Sequence, residues 1–154
     1  MYSFRKRFGP SVVPKLRGTI QADIFKEVQA QNETIFPTEA SLRFLCDMIE
    51  WTSAEMPRWY PVSISGYHIG EAGATPVQQA AYTVSNGFAY VEMLAARGIP
   101  VDQFTQRLSF FLDCGLSVEY IAPARVSRLI RACGIRDVFS AGHTGQMFTC
   151  HTLR

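Results

Sequence analysis

The chain has 154 residues, of which 47% are hydrophobic and 18% are charged, the composition of a globular domain rather than of a disordered segment. The net charge of +2 gives no reason to expect binding to nucleic acid or a membrane surface. No apolar run approaches the roughly 20 residues of a membrane span, and no secretory signal is recognisable. The four cysteines are scattered without a Cys-x-x-Cys pair, which favours reduced thiols, a cytoplasmic location and no metal site.

The first third of the chain predicts an irregular lead-in, a strand end and two helices. Residues 1–14 contain glycine and prolines without a hydrophobic period and are expected to be irregular. Residues 18–21 predict a short strand end, and residues 22–31 have a helical composition. A longer helix is expected from Thr38 to about Glu55, because apolar residues recur there at helical spacing. These residues are Leu42, Leu45, Cys46 and Ile49.

The most informative stretch is the strand at residues 62–65 together with the segment directly after it. The β-branched, alternating pattern of the strand stops at Gly66 and delivers Tyr67 and His68 into a short glycine-bearing loop. This layout is typical of a strand whose C-terminal end presents reactive side chains before the chain turns back.

A well-marked helix start is present at Thr75. Thr75 is expected to cap the helix, Pro76 takes its first position and Gln78 completes a capping box. The helix is expected to end near Arg97, with Gly98 as its terminating residue. The Asn86-Gly87 pair is expected to interrupt it.

The last third predicts a strand at residues 107–112, a helix at residues 117–136 and a truncated strand at residues 148–151. The helix tolerates Pro123 only in its first turns. It also carries three arginines at helical spacing, expected to form a stripe that is solvated or faces another subunit: Arg125, Arg128 and Arg131.

Strands and helices alternate along the whole chain, with strand ends near residues 21, 68, 109 and 151. No hairpin turn signal joins consecutive strands, so helical crossovers and a parallel sheet are expected. The regular alternation favours a (β/α)8 TIM barrel over a doubly wound sheet, which usually carries a Gly-rich phosphate loop. A closed barrel needs eight strands. The expected fold is therefore α/β, a partial TIM barrel with about four parallel strands and their helices.

Hydrogen-bonding side chains are expected to gather at one rim of this sheet. They are Thr19, Gln21, Tyr67, His68, Arg107, Ser109 and His151. The sequence has no Asp-His-Ser set, no His-Glu-x-x-His motif and no P-loop. The motifs required for hydrolysis by a catalytic triad, for zinc-dependent hydrolysis and for P-loop phosphoryl transfer are therefore absent. A rim of neutral donors with one arginine suits a polar, phosphate-bearing substrate whose difficult chemistry is done by a cofactor.

Four segments resemble the large catalytic chain of adenosylcobalamin-dependent acyl-CoA mutases, the methylmalonyl-CoA and isobutyryl-CoA mutase family. They are Gly18-Thr-Ile-Gln-Ala-Asp-Ile-Phe-Lys-Glu27, Ser63-Ile-Ser-Gly-Tyr-His-Ile-Gly-Glu-Ala-Gly73, Asn86-Gly-Phe-Ala-Tyr-Val-Glu92 and Arg107-Leu-Ser-Phe-Phe111. Their order and spacing match the family over roughly residues 15–152, whereas residues 1–14 match nothing in it. By this resemblance, residues 15–154 are the central part of the mutase substrate-binding barrel.

The resemblance implies radical isomerisation of an acyl-CoA. An adenosyl radical from adenosylcobalamin removes a hydrogen atom from the substrate, which is threaded along the axis of a TIM barrel with the corrin over its C-terminal face. The thioester group then migrates. The resemblance implies that His68 donates a hydrogen bond to the thioester carbonyl, that Gln21 contacts the same region, and that Tyr67 walls the radical site.

Other residues acquire binding roles from the same resemblance. Glu71 and Ala72 would face the corrin. Three residues would hold the CoA chain and its phosphates: Thr19, Arg107 and Ser109. His151 falls on the family's histidine at the next strand end and is expected to bind substrate.

Gln31 bears on the choice of substrate. Methylmalonyl-CoA mutases carry an arginine at this position, while isobutyryl-CoA mutases carry glutamine in the same Gln-Ala-Gln-Asn setting. A free carboxylate on the substrate would be costly to bury opposite a neutral amide. An isobutyryl-CoA-like substrate is therefore expected, with interconversion of methylmalonyl-CoA and succinyl-CoA as the alternative.

Several family features are missing from this sequence, including the early barrel strands and the corrin-binding Asp-x-His-x-x-Gly motif. Leu153 stands where the family has glutamine, and Pro123 and Gly134 are foreign to the family's helix. An incomplete chain, inactive alone, is therefore expected. It would associate with itself, with a cobalamin-binding subunit or with missing barrel segments. A non-catalytic remnant and a gene split by a frameshift remain alternatives.

Overall fold

A computed structural model describes residues 9–142 and 149–153 of the chain. Residues 1–14 were expected to be irregular, but in the described part of this segment Pro10–Lys15 form a short 3-10 helix. None of the helices in the described ranges is long and apolar enough to cross a membrane. The three cysteines with described side chains are free thiols: Cys46, Cys114 and Cys133.

All strands pair in parallel, as predicted. They are β1 (Gly18–Thr19), β2 (Trp59–Tyr60), β3 (Val62–Ser65), β4 (Leu108–Asp113) and β5 (Thr149–Leu153). β1 pairs with β2, while β3, β4 and β5 form a three-stranded sheet in that order. Pro61 separates β2 from β3 and has no N–H to donate to a ladder. Residues 9–142 and 149–153 thus supply four extended segments, consistent with a partial barrel.

The helices follow the predicted alternation. They are α1 (Ile24–Lys26, continued by a π-helix at Glu27–Gln31), α2 (Thr38–Glu55), α3 (Tyr67–Glu71), α4 (Pro76–Ala96), α5 (Val101–Phe104, continued by a 3-10 turn at Thr105–Arg107) and α6 (Val118–Asp137). The predicted bounds of α2 are confirmed, and α6 includes Pro123 as expected. The short helices α3 and α5 were not predicted.

Helix α4 has the predicted capping box between Thr75 and Gln78, and Gly98 follows its end with a φ of 81°. The expected interruption at Asn86-Gly87 is wrong, because both residues have tertiary contacts that favour the helix. Asn86 exchanges hydrogen bonds with the Gln29 amide at 3.0 and 3.2 Å. A Cβ on Gly87 would lie 2.7 Å from the Phe110 ring, so glycine permits the close approach of α4 to the sheet.

Alternation along β3 and β4 divides the sheet into an apolar and a polar face. The apolar face belongs to the hydrophobic core with α2, α4 and α6 and carries Val62, Ile64, Leu108 and Phe110. On the other face, Ser63 pairs with Ser109 in the register, and Ser65 lies two residues further along. The interior of a TIM barrel is usually filled by bulky branched side chains. Small hydroxyl residues at these positions occupy less of that space.

Candidate active site

His68 lies directly beyond the C-terminal end of β3. The segment that carries it is the helix α3 rather than the expected loop, since Gly70 N–H donates to Gly66 O at 2.9 Å and Ala72 N–H to His68 O at 3.0 Å. Nδ1 of His68 lies 2.6 Å from the Ser65 hydroxyl. Gly66 is required at the turn, because a Cβ there would lie 2.4 Å from Thr83 Oγ1.

Tyr67 packs beside His68 at the same edge of the sheet. The two rings meet edge to face with centroids 5.5 Å apart, and the Tyr67 ring lies 5.6 Å from that of Phe111. Both Tyr67 and His68 are half-buried. The structure therefore brings these two predicted residues together, with one side of each still accessible.

Asp23 is a buried residue beneath this edge that the sequence did not single out. Its carboxylate is fully buried and accepts hydrogen bonds from Ser65 N–H at 2.7 Å and from the Tyr90 hydroxyl at 2.6 Å. The same hydroxyl accepts from Phe25 N–H at 3.1 Å. Burial raises the pKa of Asp23, and the hydrogen bond from Tyr90 opposes that rise. An aspartate inside an otherwise apolar stretch was the one available sequence signal.

Gln21 and Gln31 come after β1 in the chain, toward the C-terminal end of the strands, where His68 also lies. Both glutamines are exposed. Gln31 Oε1 accepts a hydrogen bond from the buried Lys26 ammonium at 2.6 Å. Lys26 also forms an ion pair with Glu27. The amide of Gln31 is thus held beside a cation whose charge is already balanced.

His68 is expected to have a pKa below 6.5. Partial burial disfavours the imidazolium, and the Lys26 charge lowers the pKa further, although Glu27, Asp23 and Glu71 oppose this. The unfolded chain therefore binds the proton at higher pH, so the contribution of His68 to stability is present above pH 6.5 and lost as the pH falls through the folded-state pKa. An NMR titration of the imidazole nitrogens, assigned with a His68→Asn variant, measures this. A value above 6.5 would contradict the electrostatic description.

Arg107 lies at the opposite end of the strands, which corrects the expectation of a single rim. It directly precedes β4, whose first residue pairs with Val62 at the start of β3, and it stacks 5.6 Å above the Tyr60 ring. β3 has four residues, and at about 3.3 Å per residue the two edges are separated by roughly 15 Å. Gln21, His68 and Arg107 therefore do not surround one slot.

Arg107 shares a cavity of about 410 Å³ with Thr19 and two arginines that the sequence reading missed, Arg17 and Arg58. Gly18 and Tyr60 complete its lining. Each of the three arginines stands immediately before a strand. This repeated position was the signal that could have identified them, because the N-terminal ends of parallel strands meet at one edge.

Ser109 and His151 occupy positions within strands rather than at strand ends. Ser109 is fully buried, and its hydroxyl donates to Val62 O at 3.0 Å, so in this structure it joins β4 to β3. His151 pairs with Phe111, in the row of the sheet that contains Ser65. The substrate-binding roles of both residues stay predictions.

Glu71 and Ala72 end the helix α3 and are exposed at the His68 edge. Gly73 follows with a φ of 101°, and a Cβ there would meet no atom within 4 Å. All three residues are exposed, and the open space beside Gly73 leaves room for a broad, flat group such as the corrin that the resemblance implies.

A second, more apolar cavity lies between α4 and α6. It has a volume of about 850 Å³ and is lined mainly by apolar side chains, among them Val77, Val126 and Ile130. None of the predicted site residues lines it. The predicted site residues therefore lie along the strands and at their two ends, and not in this groove.

The described residues thus form a parallel α/β structure with a histidine at one end of the strands and a pocket lined by three arginines at the other. The family model for methylmalonyl-CoA mutase matches residues 6–153, which includes part of the lead-in expected to match nothing. The chain therefore belongs to the methylmalonyl-CoA mutase family. This family depends on adenosylcobalamin.

Individual relatives agree with the family. The fused isobutyryl-CoA mutase of Nocardia farcinica is 50% identical over 137 residues, 88% of this chain and 13% of that protein. The methylmalonyl-CoA mutase of Cereibacter sphaeroides is 49% identical over 116 residues, 75% of this chain and 16% of that protein. The 2-hydroxyisobutanoyl-CoA mutase large subunit of Aquincola tertiaricarbonis is 41% identical over 142 residues, 90% of this chain and 25% of that protein. The chain thus spans 13% to 25% of the length of these relatives.

Proposed function

We propose that residues 15–152 form part of the substrate-binding barrel of an acyl-CoA mutase that rearranges the carbon skeleton of a short branched acyl-CoA. The proposed reaction is of the type that converts isobutyryl-CoA to butyryl-CoA. The observation that carries this proposal is the position of two different polar sites at opposite ends of the same parallel strands. An acyl-CoA has the same polarity, with phosphates at one end and a thioester at the other.

The arginine pocket is proposed to hold the CoA phosphates. Arg17, Arg58 and Arg107 line it together, and forked guanidinium donors suit phosphate oxygens better than a single ammonium does. Thr19 adds a hydroxyl at the same place. From this end the pantetheine chain would follow the strands toward His68.

The His68 edge is proposed to bind the thioester. With Nδ1 engaged by Ser65, the free Nε2 of His68 donates to the thioester oxygen and stabilises negative charge that develops there as the group migrates. Gln21 contacts the same carbonyl region, and Tyr67 covers one side of the reacting carbon. Adenosylcobalamin, when bound, supplies the adenosyl radical that removes the substrate hydrogen. Glu71 and Ala72 would contact the corrin.

The identity of the acyl group is the finer part of the proposal. Relatives named for isobutyryl-CoA and methylmalonyl-CoA have nearly the same identity, 50% over 137 residues and 49% over 116 residues, so percentage identity does not separate the two substrates. The neutral amide of Gln31, beside a lysine already paired with Glu27, favours an acyl group without a free carboxylate. Isobutyryl-CoA is therefore the proposed substrate, and methylmalonyl-CoA is the second candidate.

A hybrid mutase tests the function. In it, residues 15–152 of this chain replace the matching segment of the Nocardia farcinica protein, with cobalamin binding and thermal melting as controls for folding. We expect conversion of isobutyryl-CoA, measured by separation of the acyl-CoA products. A folded, cobalamin-binding hybrid without turnover would contradict the proposal and favour a non-catalytic remnant.

Gln31→Arg in the hybrid mutase is expected to raise the ratio of methylmalonyl-CoA to isobutyryl-CoA turnover about tenfold. A hydrogen bond to a charged partner is worth about 1.5 to 3 kcal/mol, and the ion pair with the substrate carboxylate would be partly screened by water. Gln103→Arg is the matched control, because Gln103 is exposed on α5, away from His68. An equal change in both variants would contradict the role of Gln31.

Partner chains are proposed from the unpaired edges of the strands. Within the described residues, β1 and β5 each pair along one edge only, and unpaired strand edges promote association with further strands. We expect the isolated chain to self-associate or to bind the remaining mutase segments or a cobalamin-binding subunit. Sedimentation of the purified chain as a single monomeric species would contradict self-association.

A further inference from the structure

A continuous set of contacts leads from the buried interior to His68. Tyr90 donates to Asp23 Oδ1 at 2.6 Å, and Asp23 Oδ2 accepts the Ser65 N–H at 2.7 Å. The Ser65 hydroxyl then lies 2.6 Å from His68 Nδ1. Asp23 and Ser65 are both completely buried, so water does not compete for these contacts.

The Asp23 carboxylate takes the place of a neighbouring strand beside Ser65. β1 pairs with β2 only over Gly18–Thr19, and the last ladder-like bond on this side is from Ile20 N–H to Tyr60 O at 3.2 Å. The Ser65 N–H, further along, is held by the Asp23 side chain instead. The position of the last residue of β3 is therefore determined by a side chain 42 positions away in sequence.

The contact between Ser65 and His68 bears on which imidazole nitrogen carries the proton. In a neutral imidazole one nitrogen donates and the other accepts, and the hydrogen bond at one nitrogen selects the proton position at the other. A serine hydroxyl that donates to Nδ1 leaves the proton on Nε2. Nε2–H is the donor that the thioester carbonyl requires.

We propose that Asp23 and Ser65 are positioning residues: Asp23 fixes the end of β3, and Ser65 holds the imidazole of His68 in the tautomer with its proton on Nε2. The value of this tautomer for catalysis rests on the proposed function. The 2.6 Å contact fits a Ser65 hydroxyl that donates or accepts, so the direction of this hydrogen bond is part of the proposal. The tautomer can nevertheless be measured on the free chain, without any substrate.

The test is an imidazole ¹⁵N NMR experiment on the 154-residue chain above the pKa of His68, with no ligand added. We expect Nδ1 to be the unprotonated nitrogen and Nε2 the protonated one in the unsubstituted chain. Ser65→Ala should give a mixture of the two tautomers. Ser63→Ala is the matched control, because Ser63 is a buried serine on the same strand and face, and it should leave the His68 signals unchanged.

Asp23→Asn extends the test to the second positioning residue. Ser65 and Tyr90 donate to different oxygens of the Asp23 carboxylate, and an asparagine keeps only one of these as an acceptor. One of the two donors therefore loses its acceptor in Asp23→Asn, and we expect a partial loss of the tautomer preference. Tyr90→Phe removes the contact on the far side of the carboxylate and should retain the preference. A proton on Nδ1 in the unsubstituted chain would overturn the proposal, and this measurement does not depend on whether any variant folds. An unchanged preference for the Nε2-protonated tautomer in Ser65→Ala would also overturn it.

Kinetics of the hybrid mutase separate this inference from the proposed function. Ser65→Ala is expected to lower kcat about tenfold with little change in KM. If the NMR result holds and kcat does not change, the positioning inference stands and the catalytic role of His68 fails. If the tautomer is unaffected, the positioning inference fails whatever the turnover.

Discussion

His68→Ala in the hybrid mutase is expected to lower kcat by about 100- to 1,000-fold, the usual cost of removing one preorganised donor to a developing oxyanion. Nδ1 of His68 is already held by Ser65 at 2.6 Å, so the imidazole needs little reorganisation when charge moves onto the thioester oxygen. KM should change less than kcat, because the phosphates are proposed to bind at the other end of the strands. Product formation under saturating acyl-CoA measures the effect.

Two further variants separate this role from packing. His68→Asn keeps an N–H donor on a shorter side chain and should retain more activity than His68→Ala. Gln103→Ala, on the exposed surface of α5, should leave kcat unchanged. A decrease smaller than threefold in His68→Ala, with cobalamin binding retained, would show that His68 does not stabilise the rearrangement.

Asp23→Ala is expected to lower the free energy of unfolding by about 3 kcal/mol. The substitution removes the acceptor for Ser65 N–H and for the Tyr90 hydroxyl, and each buried donor left without a partner costs about 1 to 3 kcal/mol. The expected loss of unfolding free energy is not larger, because burying the charged carboxylate destabilises the folded chain, as the raised pKa of Asp23 indicates. Urea unfolding of the 154-residue chain at low protein concentration measures the loss.

Tyr90→Phe is the matched variant for this prediction. It removes one donor to Asp23 and leaves the Phe25 N–H without its acceptor, so a smaller loss of about 1 to 2 kcal/mol is expected. The double variant should lose less than the sum of the two single losses, because both substitutions break the same contact. Additive losses would mean that the hydrogen bond between Asp23 and Tyr90 contributes nothing to stability.

Elements with strong local signals could be predicted from the sequence. The apolar period of α2 and the capping box of α4 lie within short stretches of chain, and β3 alternates β-branched residues with serines between a proline and a glycine. The parallel arrangement followed from the absence of hairpin signals. Short elements could not be predicted in this way, because β2 and α3 depend on pairing with distant residues such as Gly18 and Phe111.

The positions of the candidate site residues could be predicted in part. Tyr67 and His68 could be placed together at the end of β3 because they follow a clear strand. Arg107 was assigned to the wrong end, since it stands before β4 and parallel strands begin at the edge opposite to the one where they end. Asp23 was missed because its partners lie 42 and 67 positions away. Arg131 was expected to be exposed or to face another subunit but is buried, donating to Thr105 O at 2.6 Å.

The central claim is that an acyl-CoA lies along the strands with its thioester at His68 and its phosphates at the arginine pocket. The ¹³C shift of a labelled thioester carbonyl in isobutyryl-CoA, bound to the hybrid mutase at saturation, tests it most directly. We predict a downfield displacement on binding that His68→Ala abolishes and Arg107→Ala retains, although Arg107→Ala should weaken binding. A displacement that is unchanged in His68→Ala would contradict the account.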